Sequence, residues 1–457
     1  MADPRIVVVG AGPAGVRAAQ TLVEAGLRPV VIDEGPTSGG QIYRRQPSMF
    51  RRTYETLYGF EAGRAKAIHD TFDGLGGQVD YRPDTLAWNI FDRALHTIRD
   101  GVAASLPFDA VILATGATDR LLPIKGWTLP GAYSLGAAQI ALKAQACAIG
   151  RRVVFLGTGP LLYLVSYQYA KAGVEVAAVL DTSPASGQRR ALPHLARRPS
   201  LLAKGLYYRA QLMARNVPVH GAVVPLEIEG REGVEAVRFR GGDGVERRIA
   251  CDAVGVGFHL RSETQVADLA HCEFTFDEDL GQWRPQTDPD GRTSVAGVYL
   301  AGDGARILGA DAAEISGQLA ALAALKDLGR PAPEARLDGL RRSQQRMEAF
   351  RRGLATAFPW PAALARSVAD DVLVCRCEAI TAGDLRGAAT FKGAPEMNRA
   401  KAFVRVGMGR CQGRFCGSAA AEILAETRGD ALASVGRLRG QAPVKPLTLA
   451  ATRETAP

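Results

Sequence analysis

Four of the seven cysteines lie close together near the C-terminus, with a spacing that suits a metal centre. Cys375 and Cys377 form a C-x-C pair, and after 33 further residues Cys411 and Cys416 form a C-x4-C pair. Four thiolates can hold zinc or an iron–sulfur cluster. Disulfides are not expected, because seven cysteines in 457 residues do not make a disulfide scaffold. The spacing therefore predicts a metal centre, with unmetallated thiols as the remaining alternative.

A glycine-rich turn near the N-terminus predicts a nucleotide site. The apolar run 6–9 leads into the turn 10–15, a helical stretch over 16–25 and a second apolar run over 28–32. A G-x-G-x-x-G turn between strand and helix lets the backbone approach a pyrophosphate at the helix N-terminus. An acidic residue about twenty positions later accepts hydrogen bonds from a ribose. The predicted binding residues are Gly10, Gly12, Pro13, Ala14 and Gly15, with Asp33 or Glu34 on the ribose.

Three later motifs favour FAD as the nucleotide. Each follows an apolar run, and together they contribute Gly40, Gln41, Thr115, Gly116, Gly302 and Asp303. In this order, the motifs over residues 5–330 resemble the two-dinucleotide-binding-domain flavoproteins, the broad family of glutathione and thioredoxin reductases. The resemblance implies an α/β fold with tandem Rossmann-like domains, in which Asp303 holds the ribityl chain of FAD.

A second strand–turn–helix pattern starts at residue 152. Gly157 and Gly159 occupy the first two glycine positions of its turn, Leu162 occupies the third, and Asp181 ends the next strand. Leu162 hinders the close helix–strand packing that glycine permits. Two alternatives are open: an inserted domain that binds NAD or ATP, or a retained fold without a nucleotide site. No C-x-x-C or C-x4-C pair occurs before residue 400, which excludes the chemistry of disulfide reductases.

The C-terminal cysteines extend the resemblance to nearly the whole chain. The C-x-C pair resembles the bacterioferritin-associated-ferredoxin-like [2Fe-2S] module, although the C-x4-C pair is wider than in the free ferredoxin. With the strings 39–44, 157–162 and 407–416, the chain resembles the α subunits of heteromeric amine dehydrogenases. That group includes opine oxidases, D-hydroxyproline dehydrogenase and the flavin subunit of hydrogen cyanide synthase. The resemblance implies a small [2Fe-2S] module with four ligands: Cys375, Cys377, Cys411 and Cys416.

In that family a separate β subunit, with its own FAD, removes a hydride from the carbon beside an amine. The resemblance implies an electron-transferring oxidoreductase subunit, cytoplasmic or peripheral at the inner membrane, that passes electrons through FAD and the cluster towards the respiratory chain. FMN at a subunit interface is a further candidate cofactor, and a small ferredoxin-like γ subunit is a further candidate partner. No catalytic residue is expected in this chain, because its six histidines are dispersed.

Two other functions are open at this point. A stand-alone reductase would take NADH at Gly157 and Gly159, with Asp181 on the ribose, and release electrons through the cluster. A non-enzymatic subunit would bind zinc at the four cysteines. Nucleic-acid binding is not expected, because the net charge of +9 is modest and no known binding module is present. No apolar run of about 18 residues predicts a membrane-spanning helix.

The motifs divide the chain into segments. The expected segments are the first part of an FAD domain (1–118), an inserted NAD-type domain (119–255), the second part of the FAD domain (256–330), a linker helix (331–370), the [2Fe-2S] domain (371–430) and a C-terminal tail (431–457).

Overall fold

Two parallel five-stranded sheets organise the computed structural model, which describes residues 3–448, 450 and 452–453. In spatial order, the first sheet contains Val298–Leu300, Ala110–Leu113, Ile6–Val9, Val30–Ile32 and Asp80–Arg82. Its two central strands are fully buried apolar runs, as is usual for parallel strands covered on both faces. Because Val298–Leu300 comes from far along the chain, this first unit is built from two separate segments of sequence.

Two helices of the first unit cross at close range. Pro13–Glu24 begins three residues before the predicted helical stretch, because proline suits the first position of a helix. It packs on Ala310–Asp327, where a β-carbon on Gly317 would clash with the carbonyl of Ala14. The other elements of the unit are Tyr54–Tyr58, Gly59–Glu61, Ala62–Leu75, Gly76–Gln78, Leu86–Phe91, Ala94–Arg99, Val102–Pro107, Gln265–Leu269, Phe274–Asp277, Gln282–Pro285 and Gly302–Gly304.

The second sheet forms the inserted unit. In spatial order it contains Val219–His220, Glu175–Asp181, Arg152–Thr158, Ala253–Phe258 and Ala132–Ser134. The other elements of this unit are Leu135–Ala144, Pro160–Lys171, Ala185–Leu195, Pro199–Ala214, Val224–Glu229, Ala236–Arg240 and Glu246–Ala250. Leu162, at the third glycine position of the second turn, is fully buried in the same core as Phe155.

The chain passes between the two units along one antiparallel pair of strands, Ala117–Asp119 and Leu260–Ser262. The whole strand Ala253–Phe258 pairs with Arg152–Thr158, so the second sheet extends beyond residue 255, where the sequence places the domain boundary. Gly255 lies inside this strand, where the ring of Phe155 fills the space of the missing side chain. The glycine at this position therefore serves close packing inside the strand.

A long helix, Glu334–Ala357, contacts both units. It packs beside Ala310–Asp327 of the first unit and then against Ala185–Leu195 of the second. Gly353 permits the second contact, since a β-carbon there would lie 2.8 Å from the β-carbon of His194. The helix ends before the Pro359–Pro361 segment.

The C-terminal unit has its own small core. Its elements are Ala362–Arg366, Leu373–Cys375, Ile380–Thr381, Ala382–Thr390, Met397–Val404 and Gly417–Arg428. Val435 belongs to this core, so the unit continues past the expected end at residue 430. The following chain returns to the first unit, where Val444 is buried and Thr452–Arg453 pairs with the strand Val102–Pro107. In the part of the chain that the structure describes, no helix has the length and apolar character needed to cross a membrane.

Candidate cofactor sites

The first glycine-rich turn leaves an open cradle at the N-terminus of the helix Pro13–Glu24. Gly10 has φ +105°, a backbone conformation that favours glycine, and a side chain on Gly15 would clash with the carbonyl of Gly10. Gly12 is different, because a β-carbon there would meet only the α-carbon of Gly40, at 3.6 Å. The space in front of Gly12 therefore fits a pyrophosphate, with the helix N-terminus behind it.

Asp33 and Glu34 occupy different surroundings. Asp33 directly follows the second strand, and its carboxylate accepts hydrogen bonds from the amides of Ala11 (2.5 Å) and Gly35 (2.6 Å). Burial raises the pKa of the Asp33 carboxyl, and these hydrogen bonds oppose that shift. Glu34 is exposed and pairs with Lys445 of the returning C-terminal segment. The geometry favours Asp33 over Glu34 as the partner of a ribose, because only Asp33 lies against the glycine turn.

The second motif lies directly against the glycine turn. The amide of Gly39 donates to the carbonyl of Ala11 at 2.8 Å. A β-carbon on Gly40 would lie 2.8 Å from the α-carbon of Gly12, so the two glycines meet in van der Waals contact. Gln41 is exposed beside them, and its side-chain oxygen accepts a hydrogen bond from Arg44 at 2.7 Å. Gly40 and Gln41 thus form one rim of the cradle.

The third and fourth motifs come together on the other side. A β-carbon on Gly304 would lie 2.9 Å from Oγ1 of Thr115, which places residues 302–304 beside Thr115 and Gly116. The Asp303 carboxylate accepts hydrogen bonds from the amides of Leu308 (3.0 Å) and Gly309 (3.2 Å), and burial raises its pKa. A β-carbon on Gly302 would lie 2.9 Å from the β-carbon of Ala14. Ala14 therefore supports the cradle by packing against Gly302.

The second glycine-rich turn is closed by the chain itself. Asp181 is 0% exposed, and its carboxylate accepts hydrogen bonds from the Tyr163 hydroxyl (2.6 Å) and the Ser183 amide (2.8 Å). A β-carbon on Gly159 would meet the ring of His259 at 3.3 Å, and that ring is bonded to the carbonyl of Phe358. The acid and the turn are thus occupied by protein groups. Of the two sequence-based alternatives, the geometry favours a retained fold without a nucleotide site.

The four C-terminal cysteines are brought together, as the spacing predicts. Their thiols lie within hydrogen-bonding reach in the order Cys375, Cys416, Cys411 and Cys377. The hydrogen bond from Cys416 lowers the pKa of Cys375 to about 6 and that of Cys411 to about 5, while the pKa of Cys416 is raised. No three side chains of His, Cys, Asp or Glu in the described ranges converge as ligands of a single metal ion.

Backbone amides surround the thiols. The amides of Gly407 and Glu378 donate to Cys375, and those of Gly413 and Phe415 donate to Cys411. Such N–H donors stabilise the negative charge on sulfur and are a known means of tuning iron–sulfur clusters. A β-carbon on Gly409 would clash with the β-carbon of Cys377, so glycine is needed for the close approach of the two cysteine segments. The donor set therefore fits a cluster with four thiolate ligands.

Sequence reasoning missed the segment that connects the two sites. We call residues 261–265 the bridging segment and residues 411–416 the cluster loop. Arg261 donates to the carbonyls of Gly413 (3.2 Å) and Arg414 (3.0 Å), and the Gln265 side chain donates to the carbonyl of Gln412 (2.6 Å).

Between these two contacts, Glu263 of the bridging segment forms an ion pair with Arg414 of the cluster loop at 2.7 Å. Burial raises the pKa of the Glu263 carboxyl, but the charges of Arg414 and Arg261 outweigh burial and the net pKa is lowered. Three alternate residues of the bridging segment thus hold three consecutive residues of the cluster loop.

The opposite side of the bridging segment contacts the flavin motifs. Thr115 donates through its hydroxyl to the carbonyl of Glu263 (2.6 Å), and the amide of Glu263 donates to the carbonyl of Gly116 (2.9 Å). The Ser262 hydroxyl donates to the carbonyl of Asp303 at 2.6 Å. The bridging segment therefore joins the flavin motifs to the cluster loop, although these parts are far apart in sequence.

Comparisons with known proteins identify the two kinds of domain. Residues 4–324 match the family of pyridine nucleotide-disulphide oxidoreductases, and residues 373–426 match the BFD-like [2Fe-2S] binding domain. The A subunit of opine oxidase from Agrobacterium tumefaciens (strain Ach5) is 40% identical over an alignment of 465 positions, which covers 97% of this chain and 90% of that protein. This chain belongs to the family of opine oxidase A subunits.

Other relatives extend the family. The opine oxidase A subunit of Rhizobium meliloti is 37% identical, with 97% of this chain and 86% of that protein covered. The HcnB subunit of hydrogen cyanide synthase from Pseudomonas protegens is 29% identical, with 97% of this chain and 96% of that protein covered. The predicted family is confirmed, and so is the prediction of a flavoprotein unit followed by a [2Fe-2S] domain. The matched domain includes all four cysteines, which favours an iron–sulfur cluster over zinc.

Solved structures share the fold of this member of the opine oxidase family. L-Proline dehydrogenase from P. horikoshii gives a TM-score of 0.70 at 18% identity, covering 98% of this chain and 78% of that one. Thioredoxin reductase from T. acidophilum gives a TM-score of 0.52 at 22% identity, covering 71% of this chain and 99% of that one. The predicted fold of tandem Rossmann-like domains with a small C-terminal iron–sulfur module is therefore confirmed.

Proposed function

We propose that this flavin and [2Fe-2S] oxidoreductase subunit transfers electrons within a heteromeric dehydrogenase of the opine or D-hydroxyproline type. In this proposal a partner subunit with its own FAD oxidises a carbon–nitrogen bond. The chain then conveys the electrons through FAD and its cluster to a downstream acceptor. The relatives are named as the A subunit of opine oxidase and the HcnB subunit of hydrogen cyanide synthase, and these names support a heteromeric enzyme.

The observation that carries the proposal is the bridging segment. It bonds Thr115, Gly116 and Asp303 on one side and the cluster loop on the other. Such a segment would hold a flavin site and a cluster site in a fixed relation without a mobile carrier. When bound, FAD supplies two-electron acceptance with single-electron release, and a [2Fe-2S] cluster supplies single-electron transfer.

The chain's own residues would hold these groups. Gly10, Gly12 and Gly15 with Pro13 would cradle the pyrophosphate, and Asp33 would accept hydrogen bonds from the adenosine ribose. On the far side of the cradle, Asp303 would hold the ribityl chain. Gly40, Gln41, Thr115, Gly116 and Gly302 would line the FAD site, and Cys375, Cys377, Cys411 and Cys416 would ligate the cluster.

The closed second turn argues against the alternative of a stand-alone NADH reductase. Asp181, which would have to accept the ribose of NADH, is already bonded to Tyr163 and has no exposed surface. Binding NADH at Gly157 and Gly159 would require His259, which is bonded to the carbonyl of Phe358, to move away. FMN at a subunit interface, a ferredoxin-like γ subunit, and a cytoplasmic or inner-membrane-peripheral complex that feeds the respiratory chain stay predictions.

An anaerobic absorption spectrum of the purified chain, before and after NADH, tests the proposal. We expect flavin bands with broad iron–sulfur absorption that NADH leaves unchanged and that dithionite bleaches. The dithionite step shows that the centres can be reduced, so that a lack of response to NADH is informative. Rapid bleaching by NADH would instead identify a reductase that needs no partner.

A further inference from the structure

A cavity of about 580 Å³ lies between the first and second units. Its walls come from residues 52–60 of the first unit and from residues 142–148, 164–174 and 207–208 of the second. In the described part of the chain, none of the residues assigned above to nucleotide or cluster binding lines it. The volume lies within the range of about 300–1,000 Å³ that is usual for small-molecule sites.

One wall of the cavity is a continuous group of aromatic rings. The rings of Phe60 and Tyr207 meet edge to face with centroids 4.9 Å apart, and those of Tyr167 and Tyr208 are 5.3 Å apart. Phe60 is 61% exposed, which is unusual for so large an apolar side chain. Tyr58 adds a fifth ring from the first unit. These surfaces suit a planar apolar ligand, because aromatic rings contribute large contact areas with defined geometry.

Lys143 supplies a buried positive charge in the same cavity. The residue is 5% exposed, and its ammonium donates to the carbonyl of Ile42 at 3.1 Å. Among the described residues no carboxylate is paired directly with this ammonium, and the charge of Glu61 acts on it only from a greater distance. Burial lowers the pKa of Lys143 to about 8. An ammonium in such surroundings is costly unless an anion accompanies it.

The remaining charges favour a ligand with a single negative charge. Arg52 also lines the cavity, but its guanidinium donates to the carbonyls of Leu142 (2.7 Å) and Lys143 (2.8 Å) and so holds the wall in place. Lys171 and Glu55 lie at the exposed edge and carry opposite charges. One buried ammonium that forms no direct ion pair matches a carboxylate better than a phosphate, which normally takes several strong donors.

We propose that this cavity binds a small planar molecule that carries one carboxylate. The carboxylate lies on the ammonium of Lys143, and the planar part lies against Tyr167 and Tyr208. The site is distinct from the flavin and cluster sites. It does not depend on the proposed electron transfer, since in the described part of the chain no residue of the bridging segment lines the cavity.

Calorimetric titration of the full chain, with its cofactors bound, tests the charge requirement with a matched pair of probes. Naphthalene-2-carboxylate and 2-naphthamide share one planar body and differ in the charge. We expect the carboxylate to bind at least ten times more tightly to the native chain, and Lys143→Gln to remove this preference. Lys66→Gln, the same change at an exposed lysine outside the cavity, should leave the preference intact.

The site of binding is checked at Cys147, an exposed thiol on the cavity wall. Bound naphthalene-2-carboxylate should slow alkylation of Cys147 by iodoacetamide, followed by peptide mass spectrometry. Should Lys143→Gln fail to fold, Ala148→Trp gives a second test, because Ala148 is exposed and its side chain would fill the entrance. Equal binding of the two probes, binding that survives Ala148→Trp, or an unprotected Cys147 would overturn the proposal.

Discussion

Arg414 donates two hydrogen bonds to the carboxylate of Glu263, from Nε at 2.7 Å and from Nη2 at 3.1 Å. The two side chains are 10% and 13% exposed, so the pair lies almost entirely inside the protein. Such a two-point contact defines both distance and orientation. Because the backbone of Glu263 is bonded to Thr115 and Gly116, this pair ties the position of the cluster loop to the flavin motifs.

Glu263→Gln should loosen the cluster loop. The substitution leaves the Arg414 guanidinium buried without its counter-charge, which we expect to lower the free energy of unfolding by about 3 kcal/mol. Iron content after purification should fall while FAD content stays nearly unchanged. Iron analysis, flavin absorption and urea unfolding measure the three quantities. Glu232→Gln, at an exposed position, is the control, and equal iron content in both variants would contradict the role given to Glu263.

Gly12→Val should abolish FAD retention and leave the fold intact. Its backbone (φ −76°) suits any residue, and a β-carbon would meet only the α-carbon of Gly40, so the new side chain fills the cradle without a clash within the chain. Gly15→Val is the matched contrast, because a side chain there would clash with the Gly10 carbonyl and disrupt the turn itself. Flavin absorption and circular dichroism should therefore separate the two variants. Normal FAD content in Gly12→Val would remove the pyrophosphate assignment.

Cys411→Ser should remove the cluster signal and leave FAD bound. The thiol of Cys411 lies between those of Cys416 and Cys377, so its loss interrupts the set of four ligands. Electron paramagnetic resonance after reduction with dithionite, together with iron analysis, measures the effect. Cys147→Ser is the control, because Cys147 is exposed and far in sequence from the cluster cysteines. Unchanged iron content in Cys411→Ser would show that the ligand set is wrong.

Local patterns were enough to predict the glycine cradle and the cysteine centre. Gly10, Gly12 and Gly15 act within one turn, and the acid at Asp33 ends the neighbouring strand, so their spacing in the sequence reflects their geometry directly. The bridging segment has no such signal, because Glu263 and Arg414 meet only when two distant parts of the chain pack together. The extent of the second sheet likewise depends on packing between distant residues, because the ring of Phe155 fills the space beside Gly255 inside the strand Ala253–Phe258.

Tyr163→Phe should destabilise the second unit without creating an NADH site. The hydroxyl of Tyr163 is one of the donors to the buried Asp181 carboxylate, and losing it should cost about 1–3 kcal/mol. His259 would still face Gly159, so the turn stays closed. Thermal unfolding and an anaerobic NADH titration measure the two effects. Reduction of the variant by NADH would mean that Tyr163 alone blocks a functional nucleotide site.

The buried ammonium of Lys143 should make stability rise with pH in the alkaline range. Its pKa is lowered from 10.5 to about 8 in the folded chain. Between these values the unfolded chain binds more protons than the folded chain, so the free energy of unfolding increases as pH rises, by at most about 3 kcal/mol. Comparing the urea midpoints of the native chain and of Lys143→Gln at pH 7.5 and 9.5 isolates this contribution from other titrating groups.

A bound carboxylate should suppress that pH dependence, since an anion on the ammonium restores the pKa of Lys143 towards its ordinary value. We therefore expect saturating naphthalene-2-carboxylate to reduce the difference between the two midpoints of the native chain, and 2-naphthamide to leave it unchanged. The pH dependence of stability and the preference for the charged probe would then both report on the Lys143 ammonium. If the difference between the urea midpoints at the two pH values is the same with and without the carboxylate, the ligand does not reach Lys143.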